Sequence, residues 1–275
     1  MEVAHVGSAS APSAIAILTF AIYFSSDRLR GLLYTICYLR GSLSTYQFRQ
    51  PHQRGKIMNL PLPMPGKVIA VGLNYKDHAK EAGVPLPLAP VLFTKWTTSL
   101  IPNGANITLH KGVTQLDWEA EFAVVIGKRA SHVSESDALN YVSGYTCMND
   151  VTDREAQGKD GQWVRSKSYD TYGPIGPVIV PASQIPDPHN LKIEARLNGK
   201  TMQTSNTSNL IFNVPYLISY ISQRVTLEAG DVITTGTPHG VGTFYKPPIF
   251  MQDGDVIEIE IEKIGILKNQ VVAEK

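Results

Sequence analysis

This sequence has few cysteines and no large excess of positive or negative charge. Only two cysteines, Cys37 and Cys147, occur in 275 residues, and they lack the CxxC spacing of a thiolate zinc site. Two distant cysteines also exclude a disulfide framework. The 25 lysines and arginines balance 24 aspartates and glutamates and leave a net charge of +1. Because no basic stripe with interleaved aromatic residues runs through the chain, no nucleic-acid partner is expected.

Residues 1–56 differ in composition from the rest and predict an atypical N-terminal extension. The apolar run 11–24 is shorter than the roughly 20 residues that a membrane-spanning helix needs, so membrane insertion is not expected. A secretory signal requires positive charge before the apolar run, but the first arginine or lysine is Arg28. The basic, acid-free stretch 28–56 suits an organelle presequence, whereas the apolar run is not amphipathic. A presequence and a misassigned start therefore both stay open.

Short runs of β-branched residues separated by glycine and proline predict a strand-dominated α+β domain over residues 57–275. The 18 prolines and 22 glycines favour strands and turns over a helical bundle. Strands are expected at 67–73, 91–95, 122–126 and 256–262, the last alternating isoleucine with glutamate so that one face is buried. Helices are expected at 74–82, at 134–142 with Ser134 as N-cap, and at 214–222 with Asn213 as N-cap.

Two acids, Glu119 and Glu121, stand one residue apart just before the apolar run 122–126. Side chains at i and i+2 of a strand leave the same face about 7 Å apart, so both carboxylates can converge on one cation. Hard divalent ions such as Mg²⁺ take carboxylate oxygens and keep waters that a substrate can replace. A solvated strand face is the alternative, and the pattern alone does not exclude it. Asp117 is interpreted as a residue around this site or as a solvated one.

A second group of polar residues lies in MNDVTDREAQ (148–157). Asp150, Arg154 and Gln157 stand at i, i+4 and i+7, so they would share one face of a helix. Asp150 could then supply a third carboxylate, while Arg154 and Gln157 bind a carboxylate or enolate of a substrate. An ordinary exposed helix with a weak Asp–Arg pair explains the same spacing.

Two further segments carry candidate chemistry. NYKDHAKEA (74–82) contains His78 with Glu81 one helical turn later, where a carboxylate can hold one ring nitrogen and leave the other as a base. A surface histidine beside a glutamate is also common without any such role. TGTPHGVG (235–242) follows an apolar strand, and its glycines allow the backbone to approach a ligand, unless it is a structural turn. Its glycines lack the strand–turn–helix context of a dinucleotide fingerprint.

Six segments in this order resemble the fumarylacetoacetate hydrolase family, from about residue 67 to residue 272. They are NYKDHAKEAGVP, DWEAEFAVVIGK, NDVTDREAQ, KSYDTYGPIGP, LNGKTMQTSNTSNLIF and TGTPHGVG. The stretch GTFYKPPIFMQDGD is most similar to the fumarylacetoacetate hydrolase domain-containing proteins of the second, mitochondrial type. The resemblance implies a mixed β-sandwich roll of the family's C-terminal domain type, a homodimer, and a cytoplasmic or mitochondrial location.

The resemblance also implies three sets of site residues. The metal ligands, for Mg²⁺ or alternatively Ca²⁺ or Mn²⁺, are Glu119, Glu121 and Asp150. The catalytic residues are His78 and Glu81, as a dyad on a short lid helix, and Lys167, which stabilises oxyanion or enolate charge. The substrate-binding residues are Arg154, Gln157 and Thr237.

The implied activity is metal-dependent chemistry on a 2-oxo or 2,4-dioxo acid through its enolate. If His78 activates a water, the outcome is hydrolysis of a carbon–carbon bond in an acylpyruvate or a fumarylacetoacetate-like substrate. Without an attacking water, the same site performs oxaloacetate enol–keto tautomerisation or decarboxylation. The alternative from another class is a non-catalytic protein that binds a metal or a carboxylate.

Two features depart from the family pattern. Residues 1–56 do not match the usual N-terminal domain of the family. Asp153 and Glu155 stand where relatives more often have Ala and Asp, so the rim of the site is expected to be more acidic or differently spaced, which leaves the substrate preference open.

Overall fold

The computed structural model describes residues 60–275 and, before them, only the backbone of three strands. These strands, β1 (Ile17–Phe20), β2 (Tyr34–Leu39) and β3 (Ser42–Gln47), form an antiparallel sheet in that order. The chain divides into two compact units, Met1–Ile57 and Met58–Lys275. The predictions made for residues 1–56, a presequence or a misassigned start, fall outside the residues that the structure describes, so both stay open.

Short strands dominate the second unit. The strands are β4 (Val68–Gly72), β5 (Val91–Lys95), β6 (Leu100–Pro102), β7 (Ile107–Leu109), β8 (Leu116–Asp117), β9 (Ala120–Ile126), β10 (Val142–Asn149), β11 (Thr152–Asp153), β12 (Gly173–Pro181), β13 (Lys192–Leu197), β14 (Lys200–Asn206), β15 (Val232–Thr234), β16 (Val256–Ile261) and β17 (Gly265–Ala273). The α-helices are α1 (Lys76–Ala82), α2 (Arg154–Asp160) and α3 (Val214–Ser222). The 3₁₀ segments are Thr97–Ser99, Glu135–Tyr141, Ala182–Gln184, Thr207–Asn209 and Gly242–Phe244.

Two mixed sheets carry most of these strands. The larger has the order β5-β4-β15-β9-β10-β12-β6, with parallel β4–β15 and β12–β6 pairs. The smaller has the order β14-β13-β16-β17-β7, with a parallel β17–β7 pair. The remaining neighbours in both sheets are antiparallel. β8 and β11 form a separate antiparallel ribbon.

The strand β9 lies in the core and is covered on both faces. Phe122 and Val124 belong to a buried cluster that includes Ile259 of β16, whereas Ala123 and Val125 belong to a second cluster. Because successive side chains of a strand alternate between its faces, both faces of β9 are buried. A strand covered in this way is a continuous apolar run and not an alternation, and its first residues are therefore brought into the interior.

Most of the predicted elements lie where the sequence places them. α3 begins after Asn213, whose side chain accepts the backbone N–H of Tyr216. β16 alternates buried isoleucines with half-exposed glutamates, as predicted. The predicted helix 134–142 is a 3₁₀ helix, Glu135–Tyr141, and Ser134 caps it by accepting a backbone N–H.

The segment 148–157 is not one helix, so the prediction that Asp150, Arg154 and Gln157 share a helix face is wrong. β10 continues to Asn149 because it stays paired with β9 over its whole length. α2 begins only at Arg154, with Asp153 as its N-cap. Asp150 therefore follows the end of a strand, and it reaches its neighbours from the sheet.

Candidate active site

Three carboxylates meet where β9 begins and β10 ends. One oxygen from each of Glu119, Glu121 and Asp150 lies within 4.8 Å of the others, and all three residues are buried. The pairing of β9 with β10 produces this arrangement, since the backbone N–H of Asp150 donates to the carbonyl of Glu119 at 2.9 Å. The structure thus brings together the three predicted metal ligands, although Asp150 arrives by a different route from the one predicted.

Three cationic side chains surround these carboxylates. Lys167 Nζ lies 2.9 Å from Glu119 Oε2 and 2.8 Å from Asp150 Oδ2. Arg154 Nη1 lies 2.7 Å from Glu119 Oε1. Lys95 Nζ donates to Asp150 Oδ1 at 2.6 Å and also to the carbonyl of Lys167. Glu119 and Asp150 therefore lie in a buried network of alternating charges, in which each of the two acids has cationic partners that offset the cost of its desolvation.

Sequence reasoning did not identify Lys95 as part of this network. Its side chain is fully buried at the end of β5. Burial lowers its pKa, and the neighbouring Asp150 opposes that shift. The only signal in the sequence is a lysine that closes the apolar strand VLFTK, and such a residue is usually solvated.

The pKa values of Glu119 and Glu121 are shifted in opposite directions. Burial raises the pKa of Glu121 well above its ordinary value, and the charges of Asp150 and Glu119 raise it further. Burial also acts on Glu119, but the positive charges of Lys167 and Arg154 outweigh it and lower the pKa to about 2. No lysine or arginine forms an ion pair with Glu121 in residues 60–275, where its Oε2 accepts from the Thr234 hydroxyl and the Gly236 N–H.

The composition of this cluster suits a hard divalent cation. Mg²⁺ and Ca²⁺ bind oxygen ligands at about 2.0–2.6 Å, so two ligands of one ion lie at most about 5 Å apart, and the three carboxylates satisfy that limit. Glu121 supplies a second argument, because positive charge beside it would remove the repulsion that raises its pKa. The residues present therefore fit a divalent cation.

Asp117 is buried and not solvated, which corrects one of the two interpretations given to it. Its Oδ2 lies 2.7 Å from Arg154 Nε, and its carboxylate accepts the backbone N–H groups of Gly242 and Thr243 at 2.7 and 3.0 Å. Burial raises the pKa of Asp117, and Arg154 opposes that shift. Asp117 therefore orients the guanidinium of Arg154 and ties the 242–243 backbone to the site.

The predicted dyad lies on α1. His78 Nδ1 is 3.2 Å from Glu81 Oε2, because residues three apart on a helix are neighbours. The other carboxylate oxygen of Glu81 accepts the backbone N–H of Gly240 at 2.9 Å. Gly240 has a φ of +93° and lies so close to the Met202 carbonyl that any Cβ would clash with it. The loop 235–242 is thus built to reach the dyad with its backbone.

A cavity of about 520 Å³ connects these groups. Seven of the nine predicted site residues line it, namely His78, Glu119, Glu121, Arg154, Gln157, Lys167 and Thr237. Apolar side chains form another part of its wall, namely Val71, Leu73, Phe93, Trp163 and Phe244. Of the other two predicted residues, Glu81 stands behind His78, and Asp150 is fully buried behind Lys167.

The protons of Lys167 are already engaged in this arrangement. Its Nζ donates to Glu119, to Asp150 and to the Thr152 hydroxyl, the last at 2.8 Å, and an ammonium has three hydrogens. Its predicted contact with substrate charge requires one of these bonds to be given up.

Among the described residues, no helix is long and apolar enough to cross a membrane.

Known proteins match this chain both in sequence and in structure. The chain is 46% identical over 214 residues to the mitochondrial oxaloacetate tautomerase FAHD2A of Bos taurus, covering 77% of this chain and 68% of that protein. The structure matches 5-carboxymethyl-2-hydroxymuconate delta-isomerase from Mycobacterium smegmatis with a TM-score of 0.71 at 35% identity, over 89% of this chain and 95% of that one. It matches fumarylacetoacetate hydrolase from Exiguobacterium antarcticum with a TM-score of 0.72 at 35% identity, over 94% and 100%.

These matches confirm the strand-dominated α+β fold that the sequence predicts. The family described as fumarylacetoacetate (FAA) hydrolase C-terminal matches residues 67–272, which are most of the chain and contain every candidate site residue. The chain belongs to the fumarylacetoacetate hydrolase family.

Proposed function

We propose that this protein is a divalent-cation-dependent tautomerase that interconverts the enol and keto forms of oxaloacetate or of a closely related 2-oxo diacid. Glu119, Glu121 and Asp150 would hold the cation, with Mg²⁺ as the expected ion. When bound, Mg²⁺ would supply Lewis-acid polarisation of a 2-oxo oxygen. The similarity to oxaloacetate tautomerases supports this choice of reaction.

The observation that carries the proposal is one guanidinium nitrogen beside the carboxylates that lacks a hydrogen-bond partner among the described residues. Arg154 lines the cavity, and its buried Nη2 has no hydrogen-bond partner in the described part of the chain. Buried polar groups are nearly always hydrogen-bonded, so this N–H points to an anionic ligand. An anion-binding guanidinium next to a cation site suits a molecule with a carboxylate adjacent to a chelating oxygen, which is what a 2-oxo acid provides. Gln157 holds the guanidinium in place, since its Oε1 accepts from Arg154 Nη1 at 3.0 Å.

His78 is assigned the proton transfer. Conversion of the enol removes the proton of the enol O–H and adds a proton to the neighbouring carbon. If Nδ1 of His78 donates to Glu81 Oε2, then Nε2 can exchange protons with the substrate. Glu81 is itself held by the Gly240 N–H, so the ring keeps one orientation. The positive charge of Lys167 would favour a substrate that carries enolate charge.

Hydrolysis of a carbon–carbon bond is the second candidate. His78 could activate a water instead of exchanging a proton with carbon, and the likeness to the hydrolase of E. antarcticum favours that activity. The cavity of about 520 Å³ has room for a substrate and a water. Decarboxylation of oxaloacetate is a third outcome of the same enolate.

One substrate panel separates these outcomes. Purified protein with Mg²⁺ is given oxaloacetate, an acylpyruvate and fumarylacetoacetate, and NMR distinguishes exchange of the tautomers, loss of CO₂ and carbon–carbon cleavage. Faster exchange of oxaloacetate tautomers, lost in Asp150→Asn, is the expected result. Equal rates in Glu121→Ala and the unaltered protein would contradict a role for the carboxylate cluster.

Two predictions about the whole protein accompany this proposal. The location is predicted to be mitochondrial or cytoplasmic, and the mitochondrial relatives favour the former, which imaging of tagged full-length protein tests. A homodimer is also predicted, and light scattering of the purified protein measures its mass.

A further inference from the structure

One buried side chain, that of Gln203 on β14, joins the loop 235–242 to the strand that carries the acids. Gln203 is 0% exposed. Its Oε1 accepts the backbone N–H of Ala120, the residue between Glu119 and Glu121, at 2.9 Å. Its Nε2 donates to Thr237 Oγ1 and to the carbonyl of Pro238, both at 2.8 Å. No step of the proposed mechanism has used this residue.

The backbone groups around Gln203 fix the orientation of its amide. An N–H only donates, so the end that faces Ala120 must be the oxygen. A carbonyl only accepts, so the end that faces Pro238 must be the nitrogen. Both contacts select the same orientation. The two hydrogens of Nε2 are therefore used by Pro238 and by Thr237.

This orientation determines what the Thr237 hydroxyl can do. Its oxygen accepts a hydrogen from Gln203, so its own hydrogen cannot point back to Gln203. Thr237 lines the cavity, and no described residue accepts that hydrogen. We propose that Gln203 is a positioning residue that holds the Thr237 hydroxyl as a hydrogen-bond donor toward the cavity, where it selects ligands with a carboxylate. The proposal rests on the proposed function, because it assumes a dicarboxylate substrate.

The same side chain also sets the height of the loop over the site. Gly236 donates to Glu121 and Gly240 donates to Glu81, at 2.9 Å each. The Gln203 bonds to Thr237 and Pro238 fall between these two contacts. Gln203 therefore fixes the part of the loop that faces the cavity, while the flanking glycines hold its ends.

A double-mutant cycle tests the role of Gln203. Binding of malonate, an unreactive dicarboxylate, is measured by calorimetry in the presence of Mg²⁺ for the unaltered protein, Gln203→Met, Thr237→Val and the double variant. A hydrogen bond to a charged group justifies an expected loss of about tenfold in affinity for each single variant. Because both changes remove the same donor, Gln203→Met should have little effect when Val replaces Thr237.

Two further variants distinguish a general loss of stability from the expected loss of malonate affinity. Asn269 is also a buried amide, and its Nδ2 donates to the carbonyls of Pro102 and Ala105 away from the cavity. Asn269→Leu should lower the melting temperature and leave malonate affinity unchanged. If Gln203→Met does not fold, Gln203→Glu takes its place, since it keeps an acceptor for the Ala120 N–H. Its effect should again be smaller in the Thr237→Val background.

The possible outcomes separate this inference from the proposed function. Equal losses from the Gln203 change in both backgrounds overturn the positioning role, as does unchanged affinity in Gln203→Met or failure of the unaltered protein to bind malonate. Because malonate binding requires no turnover, the cycle can be read even if oxaloacetate is not a substrate. In that case the tautomerase proposal fails and the role of Gln203 stands.

Discussion

The start of β9 and the strand β16 both set glutamates one residue apart, yet the two pairs have opposite environments. Glu258 and Glu260 are half-exposed between buried isoleucines, whereas Glu121 is 1% exposed. The position of each strand explains the difference. β16 has one face on the core and the other outside, and β9 is covered on both. Alternating acids therefore indicate a site only when the strand that carries them has no solvated face.

The partners of the two pairs differ in the same way. On the solvent-facing side of β16, in the smaller sheet, Arg196 lies 3.1 Å from Glu258 and 2.6 Å from Glu260. Such partly exposed ion pairs, called the outer pair below, contribute about 0–1 kcal/mol to stability. In the interior, Glu119 contacts Lys167 and Arg154, and loss of one partner from a buried pair costs about 3–5 kcal/mol. The first arrangement serves the surface of a sheet, and the second can hold a ligand.

The largest difference is expected when a carboxylate is neutralised. Glu121→Gln should lower the rate of oxaloacetate tautomer exchange at least about a thousandfold, about 4 kcal/mol in activation free energy, because the proposed cation loses a charged ligand. The matched change Glu260→Gln on β16 should leave the rate within about twofold, as surface substitutions rarely act at a distance. NMR exchange rates measure both. A similar loss in the two variants would erase the distinction between the strands.

The next largest difference concerns stability. Arg154→Met removes the cation that Asp117 and Glu119 share, and it should lower the free energy of unfolding by about 3–5 kcal/mol. Arg196→Met removes the cation of the outer pair and should cost less than about 1 kcal/mol. Urea denaturation of both variants measures the two values. Comparable losses would mean that the interior pair is more solvated than its burial indicates.

A smaller effect is expected from the metal itself. Mg²⁺ at a hundred times its dissociation constant should stabilise the protein by about 2.7 kcal/mol through mass action, and EDTA should remove that gain. The rise in melting temperature should persist in Glu258→Gln and disappear in Glu119→Gln. Scanning calorimetry with and without Mg²⁺ supplies the comparison. A rise of equal size in Glu119→Gln would place the binding of Mg²⁺ elsewhere.

The sequence predicts the fold better than it predicts the site, for a physical reason. Strand periodicity and helix caps are local, so β16 and the N-cap Asn213 could be placed from a few neighbouring residues. The spacing from Asp150 to Arg154 suits a helix, so the sequence predicts one there. Pairing between β10 and β9 overrides that local preference, and only a contact between distant segments could have shown it.

The residues that sequence reasoning missed share this property. Lys95 and Gln203 reach the site across distances of 55 and 83 residues, to Asp150 and Ala120 respectively. Lys95 lies outside the six segments that resemble the family, and Gln203 lies in LNGKTMQTSNTSNLIF without a spacing that marks it. A lysine or glutamine in a strand is ordinarily solvated. Their burial follows from the way the sheets pack, which single-sequence patterns do not report.

The smallest expected effect is the pH dependence of the outer pair. The hydrogen bond from Lys268 is the main cause that lowers the pKa of Glu258 from its ordinary 4.5; burial opposes this shift, and Arg196 adds to the lowering. As the pH falls, the unfolded chain therefore takes up this proton before the folded protein does. The contribution of ionised Glu258 to the free energy of unfolding is fully present above about pH 4.5, and it is lost as the pH falls through the folded-state pKa of Glu258.

The variant Glu258→Gln tests the predicted direction of this pH dependence. The variant should be less stable than the unaltered protein at pH 7 by less than about 1 kcal/mol, and the gap should close as the pH falls below 4.5 through the folded-state pKa of Glu258. Added salt should narrow the gap at pH 7, because screening weakens partly exposed pairs. Urea midpoints between pH 3 and pH 7 measure it. A gap that widens on acidification would show that Glu258 behaves like the buried Glu121, whose environment raises its pKa.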